Sequence, residues 1–206
     1  MPDLAATPVV NEEVRVSEED VLRAQLYRLL AHFLRAPPGE EDLAKVARMH
    51  GDETPLGSAV QSFARVAAKS SAEAVEQEYN DLFIGLGRGE LLPYGSYYLT
   101  GFLHEKPLAK LRTDMARIGI ERLATVHEPE DHIAALCEMM DGLITGAFGA
   151  PAPLEEQKRF FDAHIKPWAK QFFVDLEGAR SSVLYAAVGS IGRVFMEIEE
   201  VAFTMD

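Results

Sequence analysis

The 206-residue sequence predicts an all-α protein, a single-domain bundle of about eight to ten helices. Three observations carry this. Apolar residues recur at spacings of three and four along most of the chain, which lays them on one face of a helix. No segment sustains the alternation of period two, with β-branched enrichment, that a half-buried strand requires. Helix punctuation falls between the periodic segments, as capping residues before them and glycine or proline after them.

In chain order, residues 1–16 read as a flexible arm, acidic and broken by proline, and residues 17–206 as the helical domain. Ser17 is a good N-cap, followed by Glu18, Glu19 and Asp20 against the positive helix end. Leu22, Leu26, Leu29 and Phe33 align on one face until Pro37 and Pro38 stop the helix. A short helix follows over Glu40 to Met49. The periodicity returns in Leu56, Val60, Phe63 and Ala67, and after Ser70 and Ser71 in Val75, Tyr79 and Leu82.

An interruption then spans Leu82 to Gly101, LFIGLGRGELLPYGSYYLTG, where Gly85, Gly87, Gly89, Pro93 and Gly95 all oppose helix. Phe83, Leu91, Leu92, Tyr94, Tyr97 and Tyr98 nevertheless carry much apolar area through it. Apolar bodies with polar tips on irregular backbone predict a recognition surface. Helix resumes in Leu108, Leu111, Met115 and Ile118, with Pro107 near its start and Gly119 suited to its C-terminal left-handed position. Pro129 is read as opening the next helix, with Glu130 and Asp131 in its first turn and Ile133, Leu136, Met140 and Leu143 aligned. Past Pro151 and Pro153 come helices around residues 154–164, 167–177 and 181–202. The last aligns Leu184, Val188, Ile191, Phe195 and Ile198.

Composition excludes several functions. A net charge of −13, with scattered Lys and Arg, opposes nucleic-acid binding, because phosphates demand a basic face. No apolar run approaches the roughly 20 residues that span a bilayer, and the start carries no export signal, so a cytoplasmic protein without direct membrane insertion is expected. One cysteine, Cys137, allows no intramolecular disulfide and no zinc cluster. No metal and no cofactor is expected to be bound.

HEPEDH, from His127 to His132, is not the HExxH of zinc proteases. Its histidines are five apart rather than four, about 140° around a helix rather than about 40°. The remaining reading is a helix start with a neutral or switchable imidazole beside a carboxylate. GLGRG lacks the strand and the lysine of a phosphate loop, so a nucleotide hydrolase using the glycine loop with Asp131 and His132 is a weak alternative. His164, near Phe160, Phe161, Trp168 and Phe172, reads as a packed aromatic neighbour rather than a base.

Taken together, EYNDLFIGLGRGELLPYGSYYLTG, then PLAKLR with the following MARIGI, then EPEDHIAALCEMM, resemble the TorD/DmsD/NarJ-like family of redox-enzyme maturation chaperones. The similarity runs from about Leu22 to the final helix. The resemblance implies an all-α cytoplasmic chaperone, not an enzyme. It would bind the twin-arginine leader, and often the body, of a molybdenum-cofactor oxidoreductase until its cofactor is inserted. A non-exported molybdoenzyme is the alternative client, and either a monomer or a helix-swapped dimer is allowed.

By the same resemblance, Asp131 and His132 match the family's Asp-His pair, and the Glu128 to His132 segment and the PYGSYY loop would line the leader groove. Tyr94 and Tyr98 stand where relatives tend to carry tryptophan. A twin-arginine leader offers two guanidinium groups beside an apolar segment, so a receptor needs carboxylates next to an adaptable apolar wall. Glu128 and Asp131 would supply the first, and Leu82, Phe83, Tyr94, Tyr97 and Tyr98 the second.

Overall fold

A computed structural model describes residues 16–122 and 127–205; the predicted arm, apart from Val16, lies outside them. Among the described residues there are ten α-helices and no strand. They are α1 (Glu18–Arg35), α2 (Glu40–Val46), α3 (Pro55–Ala67), α4 (Ala72–Tyr79), α5 (Gly95–Thr100), α6 (Lys106–Arg117), α7 (Ile133–Thr145), α8 (Leu154–His164), α9 (Ala169–Gly178) and α10 (Leu184–Met205). Helix α1 packs along α7, and α10 lies against α9 and α3. Tyr27, Phe63, Phe161, Phe172, Phe173, Tyr185 and Phe195 fill the space between them, each fully buried.

Local chemistry sets the helix ends. The Ser17 hydroxyl accepts the Asp20 amide at 3.0 Å and so starts α1. Ser17→Ala is expected to cost about 1 kcal/mol, read as a lower urea midpoint with an unchanged slope. Pro107 lies in the first turn of α6, and Gly119 follows that helix at φ 75°. A buried carboxylate closes the start of α10: Glu78 accepts the amides of Val183, Leu184 and Tyr185 at 2.7, 3.1 and 2.7 Å, where the helix dipole also favours a negative charge.

The predicted face of α1 is shifted, and that of α10 departs only at its last residue. Leu22 is exposed and Leu26 and Leu29 are only partly covered; Phe33 is buried as predicted, and α1 buries Tyr27, Leu30, Ala31 and Leu34 beside it. On α10, Leu184, Val188, Ile191 and Phe195 are buried as predicted, whereas Ile198 is exposed and its neighbour Glu199 is completely buried. One interaction accounts for both departures. Glu199 takes the Arg23 guanidinium through Nε at 2.7 Å and Nη2 at 2.9 Å, and accepts the Tyr27 hydroxyl at 2.8 Å. The Tyr27 and Arg23 face of α1 therefore turns toward α10.

The predicted interruption is more structured than its glycines suggest. A π-helical turn, Asn80–Ile84, extends α4, and α5 forms within the segment. Gly85 sits at φ 60°, where a Cβ would lie 2.1 Å from the Arg88 carbonyl oxygen, so the tight return of the chain requires glycine. The loop is pinned from both sides. Leu91 donates its amide to the Leu82 carbonyl at 2.8 Å, and the Glu90 carboxylate accepts the Arg180 and Ser181 amides at 2.7 and 3.1 Å.

Helix α7 does not begin at Pro129. Its N-cap is His132, and Glu130 and Asp131 form a turn before it. Tertiary bonds outcompete a longer helix here. Tyr94 and His132 form an antiparallel bridge, Gly95 donates to the Asp131 carbonyl at 2.9 Å, and Ile133 donates to the Pro93 carbonyl at 2.9 Å. The start of α5 and the start of α7 are thereby fastened to each other.

Candidate functional site

The crossing of residues 93–96 with residues 129–133 is where the two halves of the predicted site meet. The turn through Glu130 and Asp131, closed by the His132 amide on the Pro129 carbonyl at 3.2 Å, leaves Asp131 and His132 bordering different cavities. Asp131 points toward α5: its Oδ2 accepts the Ser96 amide at 2.7 Å, and it borders a cavity of about 440 Å³ among α5, α6 and α8. Asp131 Oδ1 and Ser96 Oγ have no hydrogen-bond partner among the described residues. His132 points the other way, into a groove of about 510 Å³.

That groove has an apolar floor of Met115, Ile120, Ala134, Ala135 and Met139, contributed by α6, the turn after it and α7. Its polar rim holds Glu128, Glu130, Glu138 and Arg35. Methionines supply a floor that can repack around different apolar side chains. The rim carboxylates differ in availability. Glu130 is buried and held by Arg112 at 2.8 and 3.0 Å, with Arg122 at 3.6 Å, and these guanidinium groups keep its carboxyl below the usual range against the opposing effect of burial. Glu128 is exposed and accepts the Tyr94 hydroxyl. Burial together with that hydrogen bond pushes the Tyr94 phenol above its ordinary value. Glu138 pairs with Arg35, yet burial still holds its carboxyl above the usual carboxylate range.

His132 is neutral and its tautomer is fixed. Its Nδ1 accepts the Ala134 amide at 3.1 Å, capping α7, so the ring proton belongs on Nε2. Burial pulls this imidazole down to about 4. The ring stacks edge-on to Tyr94 with centroids 5.2 Å apart. The groove therefore meets a neutral N–H donor there at neutral pH, the first of the two alternatives, neutral or switchable, read from the sequence.

Of the predicted site residues, Glu128 and His132 line the groove and Tyr94 braces it through Glu128. Asp131 supports the crossing from its far side and is not a carboxylate of the groove. Leu82 is fully buried, and Phe83 packs on Tyr79 and Tyr185 with centroids 5.0 and 5.5 Å away; both belong to the core beneath the loop. Tyr98 donates to Asp175 at 2.9 Å and lies against Trp168 and Phe172, while Tyr97 is occupied by Arg88, whose guanidinium lies 5.2 Å from its ring centroid. Neither borders the groove. His164 does pack on Phe160, as read from the sequence, but its Nε2 also meets Asp114 at 2.8 Å.

As groove residues, Arg35, Met115, Ile120, Glu138 and Met139 are not among those expected from the sequence, where Met115 is read only as part of an apolar helical stripe. Glu138 carried a usable signal, since it is a lone charge between Cys137 and Met139 on an otherwise apolar stretch. The glycine loop folds onto its own backbone, and Asp131 and His132 face apart, so the pair required by the hydrolase alternative does not form. Among the described residues no three His, Cys, Asp or Glu side chains gather as a metal site, and no helix is long and apolar enough to cross a membrane.

Fold and groove define an all-helical binding protein with an amphipathic cleft. The chain belongs to the nitrate reductase delta subunit family, whose model matches residues 50–174. It is similar to the chaperone protein TorD of Vibrio cholerae, with 23% identity over 206 residues covering 90% of this chain and 93% of the relative. The TorD chaperone of Aliivibrio fischeri is 24% identical over 211 residues, covering 92% and 97%. The fold is shared with the crystal structure of a candidate redox enzyme maturation protein from Archaeoglobus fulgidus, at a TM-score of 0.57 and 22% identity over 91% of this chain and 99% of that one. The family is one of chaperones rather than enzymes.

Proposed function

We propose that this chain is a cytoplasmic chaperone for a molybdenum-cofactor oxidoreductase, and that it holds the client's twin-arginine leader in the groove floored by Met115, Ile120 and Met139. The observation that carries the reading is the groove itself, in which an apolar floor adjoins Glu128, a carboxylate whose bonded partner is a neutral phenol rather than a cation. Relatives named as TorD chaperones supply the class of client. The chemistry follows from the parts. An apolar leader segment displaces water from the floor, a guanidinium pairs with Glu128, and the Nε2–H of His132 is free to donate to a peptide carbonyl. The chain's net charge of −13 speeds the encounter with a cationic leader.

Calorimetric titration of the purified chain with the leader peptide of its partner enzyme tests this. Glu128→Gln, which keeps an acceptor for Tyr94 and removes the charge, is expected to weaken binding about tenfold, the equivalent of ~1.4 kcal/mol. A leader that does not bind, or that binds wild type and variant alike, overturns the reading.

A further inference from the structure

We propose that Glu138 is a seat for a client arginine and that Arg35 occupies this seat in the empty protein as an exchangeable stand-in. The inference rests on the groove reading above and adds to it a second carboxylate and an internal competitor.

Three ion pairs on α7 and the turn before it are made differently. Arg28 grips Asp141 with two prongs, at 2.9 and 2.8 Å, and Asp141 is largely covered. Arg112 likewise places two nitrogens on the buried Glu130. Arg35 reaches Glu138 through Nη2 alone, with no second carboxylate among the described residues, and the two side chains are 48% and 47% exposed. A one-pronged, half-hydrated pair is the easiest of the three to exchange.

The backbone around it is built to stay in place while the side chain leaves. The carbonyl of Arg35 accepts the Tyr79 hydroxyl at 3.0 Å, which ties the end of α1 to α4. Glu138 is held in the middle of α7, between the buried Cys137 and Met139. Only the guanidinium of Arg35 has to swing for the seat to open.

An internal cation at this position has a purpose that its weakness explains. Glu138 is partly desolvated, so an empty groove would otherwise leave a half-buried carboxylate unpaired. Replacing one guanidinium by another keeps the pair, and a client arginine enters with little electrostatic loss while its apolar neighbours gain the Met115, Ile120 and Met139 floor. A segment without a cation makes no use of the Glu138 seat and leaves the Arg35 pair in place. Arg35 therefore keeps the empty seat paired at the cost of some affinity for a client arginine.

Titration of the full chain by fluorescence anisotropy, with a peptide carrying Arg-Arg before an apolar helix and the same peptide carrying Gln-Gln, decides the point. Arg35→Gln is expected to tighten the Arg-Arg peptide about three- to fivefold, the range an exposed ion pair supports, and to leave the Gln-Gln peptide unchanged. Glu138→Gln is expected to weaken the Arg-Arg peptide alone. Arg28→Gln removes the same charge from α1 without touching the groove and is expected to have no effect. Thermal melts establish that all three variants keep the fold. Equal tightening by Arg35→Gln and Arg28→Gln overturns the stand-in, as does no change with Arg35→Gln while wild type binds. An Arg-Arg peptide that fails to bind wild type overturns the groove reading together with this one.

Discussion

Glu199→Ala is expected to destabilise the protein by about 3 kcal/mol, toward the lower end of the range for breaking a buried ion pair. Glu199 has no exposed surface, and its carboxylate receives three donors, two from Arg23 and one from Tyr27. Truncation strands an Arg23 guanidinium that is only 11% exposed, together with a buried phenol. The cost stays near the lower end because Arg23 keeps Asp20 at 2.7 Å and Gln157 at 3.2 Å. Urea denaturation of wild type and variant measures it. Glu199→Gln, which still accepts the Tyr27 hydroxyl, is expected to fall between them. Arg23→Met with Glu199→Leu, which removes both charges, is expected to recover much of the loss. A Glu199→Ala midpoint close to wild type would show that water reaches the pair and that it does not fix the packing of α1 on α10.

The same pair marks where sequence reading reached its limit. Periodicity locates an apolar stripe but not the surface that will cover it. Leu22 and Ile198 both fit their stripes, and both are exposed because a carboxylate and a guanidinium 176 residues apart bring a different face inward. Nothing local to Arg23 or Glu199 announces the contact. Caps were legible because their chemistry is local: Ser17 and Gly119 act where the sequence places them. The start of α7 was not, since Pro129 is a good first helical residue and only the bonds of Asp131 and His132 to the distant 93–96 segment prevent it. The site shows the same division. HEPEDH and PYGSYY do meet, through Tyr94, but an adjacent pair such as Asp131 and His132 cannot be assigned to one wall until the turn that precedes α7 is known.

Acid destabilisation carried by His132 is the second large effect. Burial lowers its folded-state value to about 4, against the ordinary 6.5 of the unfolded chain. A lowered histidine contributes stability that is complete above the unfolded value and is lost as pH falls below it, because only the unfolded state takes up the proton. Between pH 7 and pH 5 this single group removes about 2 kcal/mol. His164, also lowered by burial, acts in the same direction, whereas Asp114 beside it pulls against that shift. Glu130, Glu156 and Glu177 are held below the usual carboxylate range and contribute only under more acidic conditions. His132→Asn separates the histidine from all of them, since asparagine keeps an N-cap acceptor for the Ala134 amide and has no proton to gain. Stability of the variant, from urea midpoints at several pH values, is expected to fall about 2 kcal/mol less than wild type from pH 7 to pH 5, whatever its offset at pH 7 from losing the contact with the Tyr94 ring. Parallel profiles would mean that the ring is protonated or solvated in the folded state, and the neutral Nε2–H donor assigned to the groove would go with it.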